Sequence, residues 1–152
     1  MYVDANFQLS TVKEMKQYAH TLFAEHYDEI ARNKQVMVLA PDWDRYESME
    51  RGGYLVIIAA WDEAKLIGYS VNLISHHLHY KNLFYGHNDL LFVVPEYRKS
   101  RVGLTLIKET ERILKERGVR LMLWHAKPNT TLDALLPRMH YQVQDIIYSK
   151  EL

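Results

Sequence analysis

The segment from Leu83 to His125 constrains the fold of this chain more than any other. Leu83 to Val94 is apolar and β-branched and ends at Pro95, which reads as a strand stopped by proline. Arg101 to Arg117 carries Leu104, Ile107 and Leu114 on one side, and Val102, Leu106 and Ile113 widen that stripe into an amphipathic helix face. Glu111 and Lys115 stand four residues apart and support the helix; Gly118 is a natural C-terminal stop. Val119 to His125 turns apolar again and predicts a second strand. Strand, helix, strand in this order implies two parallel strands with the helix crossing over one face.

The rest of the chain builds outward from that unit. Tyr54 to Trp61 reads as a buried strand. A turn at Asp62-Glu63 pairs it with a strand over Lys65 to Ser75, where Ile67, Tyr69, Val71 and Leu73 alternate with smaller or polar residues. Such hairpins are antiparallel, so the sheet is mixed. Upstream, Val12, Met15, Ala19, Leu22 and His26, with Phe23 and Ile30 alongside, form one helical stripe; Thr11 and Glu14 start it as a capping box. A shorter helix follows Pro41, with Trp43, Tyr46 and Met49 on one side, and Gly52-Gly53 stops it. Thr131 to Met139 predicts a short helix and Gln142 to Ser149 a last strand. The expected class is α/β, a mixed sheet flanked by helices. No repeat or linker interrupts it, so residues 1–152 are expected to form one domain.

Composition removes several function classes. Lys plus Arg and Asp plus Glu are 19 each, so the chain lacks the cation surplus that non-specific nucleic-acid binding needs. It has no cysteine, which excludes disulfides, thiolate metal sites and a cysteine nucleophile. The longest apolar run, Tyr54 to Trp61, is too short to span a bilayer. Met1-Tyr2-Val3-Asp4 lacks the basic-then-apolar start of a secretory signal, and a cytoplasmic protein is the expectation.

Chemistry concentrates where the Leu83–Val94 strand meets the helix. The stretch Val93-Val94-Pro95-Glu96-Tyr97-Arg98-Lys99-Ser100-Arg101-Val102-Gly103 places Arg98, Lys99 and Arg101 at a helix N-terminus. Free N–H groups and the helix dipole make such a terminus an anion site, and Gly103 lets a ligand come close. On pattern alone the stretch is either a phosphate or pyrophosphate cradle or a solvated basic turn. Elsewhere, His76, His77 and His79 cluster without a third converging ligand, so no metal is expected. Asp42, Asp44, Glu47 and Glu50 surround Trp43 and Tyr46, which reads as an exposed helix packed through its aromatics.

The turn resembles the acyl-CoA-binding motif of the GNAT superfamily of N-acyltransferases, Gln/Arg-x-x-Gly-x-Gly/Ala after a strand ending in Val-x-Pro. Arg98 and Gly103 match its ends, Val93-Val94-Pro95 the strand end, and Arg101 replaces the middle glycine. Asn129 matches the family's asparagine after the next strand, and His140-Tyr141 stands at its Gly-Phe pair. The resemblance implies a sheet splayed between the family's fourth and fifth strands, here Leu83–Val94 and Val119–His125. It implies acetyl-CoA as acyl donor, held by the backbone of Phe92, Val93 and Val94, by Arg98, Lys99, Ser100, Arg101, Val102 and Gly103, and by Asn129. It also implies an amine acceptor, small molecule or protein, without nucleic acid or membrane; assembly as a homodimer is left open.

The reaction would be direct attack of the amine on the thioester. His87, Asp89, Leu91 and Val93 alternate onto one strand face. His87 falls where the family often carries its base, and His87 with Asp89 matches the two-histidine positions of arylalkylamine acetyltransferases. Catalytic roles are therefore expected at His87 and Asp89. The family's usual acid, a tyrosine, is replaced by Leu136, with Tyr141 and Tyr148 nearby in sequence. The alternative reading is a GNAT-fold module that binds acyl-CoA, or nothing, with little or no turnover.

Overall fold

A computed structural model describes residues 3–152. Met1 and Tyr2, on which the reading of the N-terminus begins, lie outside the described residues. The elements are β1 (Asn6–Ser10), α1 (Val12–Tyr18), α2 (His20–Ile30), α3 (Trp43–Arg51), β2 (Leu55–Asp62), β3 (Lys65–His76), β4 (Phe84–Val93), α4 (Val102–Glu116), β5 (Leu121–Trp124) and α5 (Thr131–Leu135). Short 3-10 turns cover Pro95–Tyr97 and Leu136–Met139. One five-stranded sheet runs in the order β1-β2-β3-β4-β5. The first three pairings are antiparallel, and β4–β5 is parallel through α4.

The sheet separates two apolar layers. On one face Val12, Met15, Ala19 and Phe23 of the N-terminal helical run pack on Ile57, Tyr69, Val71 and Phe92, with Trp43 and Tyr46 of α3 against them. On the other, Val102, Leu106, Ile113 and Leu114 of α4 pack on Val56, Ile58, Ile67 and Ile74. β2 and β3 are buried nearly throughout because both of their faces are covered. At Gly68 a Cβ would lie 2.9 Å from the carbonyl oxygen of Phe92, so glycine lets β3 approach β4 there.

Four elements depart from the sequence reading. The expected first helix is two, α1 and α2, which meet at Ala19; the backbone bonds Ala19 N–H to Met15 and Phe23 N–H to Ala19 still run through the junction. The Thr11–Glu14 capping box closes as expected. β1 was not foreseen, since Phe7 and Leu9 are too few to make a pattern; it forms because β2 offers it an edge. The β2–β3 turn lies at Glu63-Ala64, one residue later than expected, with Glu63 at φ 50°. Finally, Gln142–Ser149 is not a strand. Its apolar residues 143, 146, 147 and 148 break period-two alternation, so no single face can be buried. Val143, Ile146, Ile147 and Tyr148 are accordingly 69–89% exposed.

Candidate active site

The site begins with a bulge. β3 and β4 pair Asn72 with Asn88 but Val71 with Leu90, so Asp89 is the extra residue. The bulge resets the alternation. His87, Leu90 and Phe92 face the side of α1–α3, whereas Leu91 and Val93 join the α4 layer. The expectation that His87, Asp89, Leu91 and Val93 share one face is therefore wrong: it assumed uninterrupted pleating.

A buried polar network braces this point. Asn88 Nδ2 lies 2.9 Å from Asn72 Oδ1, 3.0 Å from the Leu90 carbonyl, and 3.2 Å from both Ser70 Oγ and the Val71 carbonyl. Thr110 of α4 donates to the Leu106 carbonyl at 2.8 Å and lies 3.0 Å from Ser70 Oγ. One amide thus spans the bulge from both sides and ties it to β3.

Immediately beyond, the sheet opens. β4 and β5 pair from Tyr85↔Leu121 to Asn88↔Trp124 and no further, while β4 runs on to Val93. The last part of β4 therefore has a free edge. Val94 N–H donates to the Ile67 carbonyl at 2.9 Å, across to β3. By antiparallel alternation Phe92 also points its backbone at β3, and Leu91 and Val93 turn theirs to the opening. Of the three strand residues expected to hold pantetheine, only Val93 presents its backbone there.

The turn after β4 makes a cradle of backbone donors. Arg101 sits at φ −86°, an ordinary conformation for a residue with a side chain. Ser100 Oγ donates to the Tyr97 carbonyl and accepts from Val102 N–H at 3.2 Å. The N–H groups of Arg101, Gly103 and Leu104 meet no acceptor among the described residues. At Gly103 an added Cβ would meet only Val93 Cγ2, at 3.7 Å, so protein packing does not demand the glycine. Lys99 and Arg101 are exposed.

Arg98 is committed elsewhere. Its Nε donates to the Val93 carbonyl at 2.8 Å, and both terminal nitrogens donate to Glu29 of α2 at 2.6 Å. The guanidinium also lies over the Phe92 ring. Beneath it, buried His26 stacks on Phe92 at 5.0 Å and places Nδ1 3.3 Å from the Tyr69 hydroxyl. Burial, helped by the Arg98 charge and opposed by Glu29, holds His26 down at about 4. Asn129 lies in the turn after β5 at φ 63°, its N–H donating to Asp133 at 2.9 Å.

His87 is half-buried at the apex, where β4 and β5 part. Its ring stacks on that of His125, one residue past β5, with centroids 5.6 Å apart and planes at 23°. Burial lowers the His87 pKa, His125 lowers it further, and Asp89 acts the other way. Asp89 is exposed; its charge, after burial, contributes to pushing the Tyr46 hydroxyl of α3 up to about 12. His87 and His125 thus meet where β4 and β5 part, and the Asp89 charge is felt at both His87 and Tyr46. Sequence reasoning missed His125, since a lone histidine at a strand end carries no pattern until its neighbour is known. Leu136 is buried, and Tyr141 is turned away, its hydroxyl donating to Glu111 of α4 at 2.6 Å. Among the described residues no three acidic, histidine or cysteine side chains converge as a metal site.

The acetyltransferase (GNAT) family model matches residues 16–141. The chain belongs to the GNAT family. No curated protein matches it significantly in sequence. Solved structures do match in fold. An aminoglycoside acetyltransferase from an uncultured soil metagenomic sample superposes with a TM-score of 0.78 at 12% identity, covering 99% of each chain. A ribosomal-protein-alanine N-acetyltransferase from Brucella melitensis biovar Abortus 2308 gives 0.72 at 15% identity, covering 97% of this chain and 99% of that one. An acetyltransferase from Trypanosoma brucei gives 0.69 at 14%, covering 98% and 100%. At these identities the likeness is one of fold. As a GNAT domain the chain fits an acyl-transfer enzyme, and none of its described helices is long and apolar enough to cross a membrane.

Proposed function

We propose that this chain moves an acetyl group from acetyl-CoA to a primary amine by direct attack, with His87 as general base. The observation that carries the reading is a half-buried imidazole at the apex of an open strand pair, eleven residues before the start of a donor-rich turn. The unpaired N–H groups of Arg101, Gly103 and Leu104, with the dipole of α4, suit the pyrophosphate. The edge at Leu91 and Val93, where Arg98 takes the Val93 carbonyl and the N–H groups face the opening, suits an amide-bearing arm and offers donors that could polarise the thioester carbonyl.

An amine reaches the site mostly as ammonium and cannot attack until a proton leaves. Burial and the His125 ring keep His87 neutral at neutral pH, so it is ready to accept that proton directly or through water. The amine nitrogen then bonds to the carbonyl carbon, and the carbon–sulfur bond breaks. Asp89, exposed beside Tyr46, gives the acceptor side an anionic rim that favours a cationic amine. Whether the acceptor is a small molecule or a protein amine is a matter for a panel of both. No nucleic acid or metal enters this reading, and one domain of 152 residues in the cytoplasm suffices for it. A module without turnover is the competing reading, favoured by Leu136 in place of a tyrosine and by Glu29 on Arg98. Thiol release from acetyl-CoA, with and without the amine panel, separates the two. Amine-dependent release supports transfer; tight acetyl-CoA binding with no release from any amine would support the module.

A further inference from the structure

His87 and His125 come from different strands, stand on either side of the point where those strands part, and stack at 5.6 Å. By alternation from Leu123, which pairs with His87, His125 lies on the same sheet face as His87, the face of α1–α3. The two rings differ in setting: His87 is half-buried and His125 is exposed. The other titratable groups around them are Asp89 and Tyr85 on β4 and Tyr46 on α3; the Tyr85 ring is 6.3 Å from that of His87. The position where the family carries its acid holds no tyrosine. Leu136 has no proton to give, Tyr141 is bound to Glu111, and Tyr148 is 89% exposed on the C-terminal segment.

We propose that His125 is the general acid of the transfer, the group that protonates the departing CoA thiolate. The proposal rests on the reading of the opening as the acyl-transfer site. In the competent form His87 is neutral and His125 carries the proton meant for sulfur. As nitrogen bonds to carbon, the amine's proton passes to His87. Two imidazolium rings stacked this closely repel, so the proton arriving on His87 favours departure of the one on His125. That proton goes to sulfur as the carbon–sulfur bond breaks, giving free thiol and amide. The proton left on His87 then returns to His125 through solvent, and the pair is reset. From the free amine, one proton leaves nitrogen and one arrives on sulfur; an acceptor that arrives as ammonium first gives its extra proton through His87 to solvent, so one proton is released per turnover.

The test compares wild type, His125→Ala and His87→Ala with two donors, acetyl-CoA and S-phenyl thioacetate, whose thiol leaves as a stable thiolate without help. His125 is exposed, so its replacement leaves the core intact, which circular dichroism checks. With acetyl-CoA, His125→Ala is expected to lower kcat by about a hundredfold or more, the usual worth of a positioned acid. It should leave acetyl-CoA affinity within a few-fold. With S-phenyl thioacetate the deficit should shrink to a few-fold. Near-normal rates for His125→Ala with acetyl-CoA overturn the proposal. An equal deficit with both donors also overturns it, because the ring would then only position His87. If wild type turns over no amine, the parent reading fails as well. If His87→Ala alone is unimpaired, the base assignment fails and the acid assignment stands.

Discussion

Replacing Asn88 by alanine should unsettle the fold and the site together. The side chain is 2% exposed, and its amide nitrogen lies within 3.2 Å of four acceptors: Ser70, Asn72 and the carbonyls of Val71 and Leu90. Two of these are backbone groups flanking the bulge, so alanine removes the donor that holds the extra residue in place. An amide has two protons, so at most two strong bonds and some shared ones are lost. Each buried acceptor left without a donor costs about 1–3 kcal/mol, and the sum after relaxation should be about 3 kcal/mol. For a chain of this size that lowers Tm by about 6–12 °C. Urea unfolding with an unchanged m-value is the assay, read beside turnover. Because the bulge aims His87 and opens the β4 edge, turnover at a temperature where the variant is folded should fall too. A loss below about 1 kcal/mol, or a destabilised variant with full activity, would refute the bracing role.

Three further outcomes are expected. Glu29→Gln should free Arg98 and tighten acetyl-CoA binding by about two- to fivefold in calorimetry, the scale of an exposed ion pair; unchanged affinity would show that Arg98 does not reach the phosphates. His26 is held neutral in the fold at about 4 against an ordinary 6.5, so below 6.5 the unfolded chain binds the extra proton. Stability should therefore fall as pH drops from about 6.5 to about 4, by about 3 kcal/mol in all, and His26→Phe should flatten that part of the urea-stability profile. Leu136→Tyr should cost about 1–3 kcal/mol by overpacking a buried site and leave kcat near the wild-type value; a large gain in kcat would show that the acid's place was empty after all.

Element order was legible where periodicity was strong and local. The α4 stripe, the Thr11–Glu14 box and the β2–β3 hairpin each depend on residues close in sequence, and each formed. The bulge at Asp89 was not legible, because it depends on which β3 residue meets which β4 residue. One extra residue moved Leu91 and Val93 to the other face. The Gln142–Ser149 segment failed for a related reason: β-branched composition suggests a strand, but a ladder needs a partner in register. At the site, Arg98, Arg101 and Gly103 were visible as a strand-turn-helix pattern. The engagement of Arg98 by Glu29, 69 residues away, and the pairing of His87 with His125 were visible only once the chain was folded.

The rate of amide formation from acetyl-CoA against pH, for wild type and His87→Ala, tests the account most directly. A positioned base contributes about a hundredfold to ten-thousandfold, so kcat/KM of His87→Ala should fall by that factor near pH 7. Acetyl-CoA affinity should stay within a few-fold, because the donors of the α4 turn are untouched. The deficit should narrow as pH rises toward the acceptor's own pKa, where the free amine needs no base. Burial and His125 lower the His87 pKa, so the acid limb of the wild-type profile should lie below the ordinary histidine range. Asp89→Asn, which removes the charge opposing that shift, should move the limb lower still with a smaller loss of rate. A His87→Ala enzyme that works at near-normal rates at pH 7 would contradict the assignment of the base.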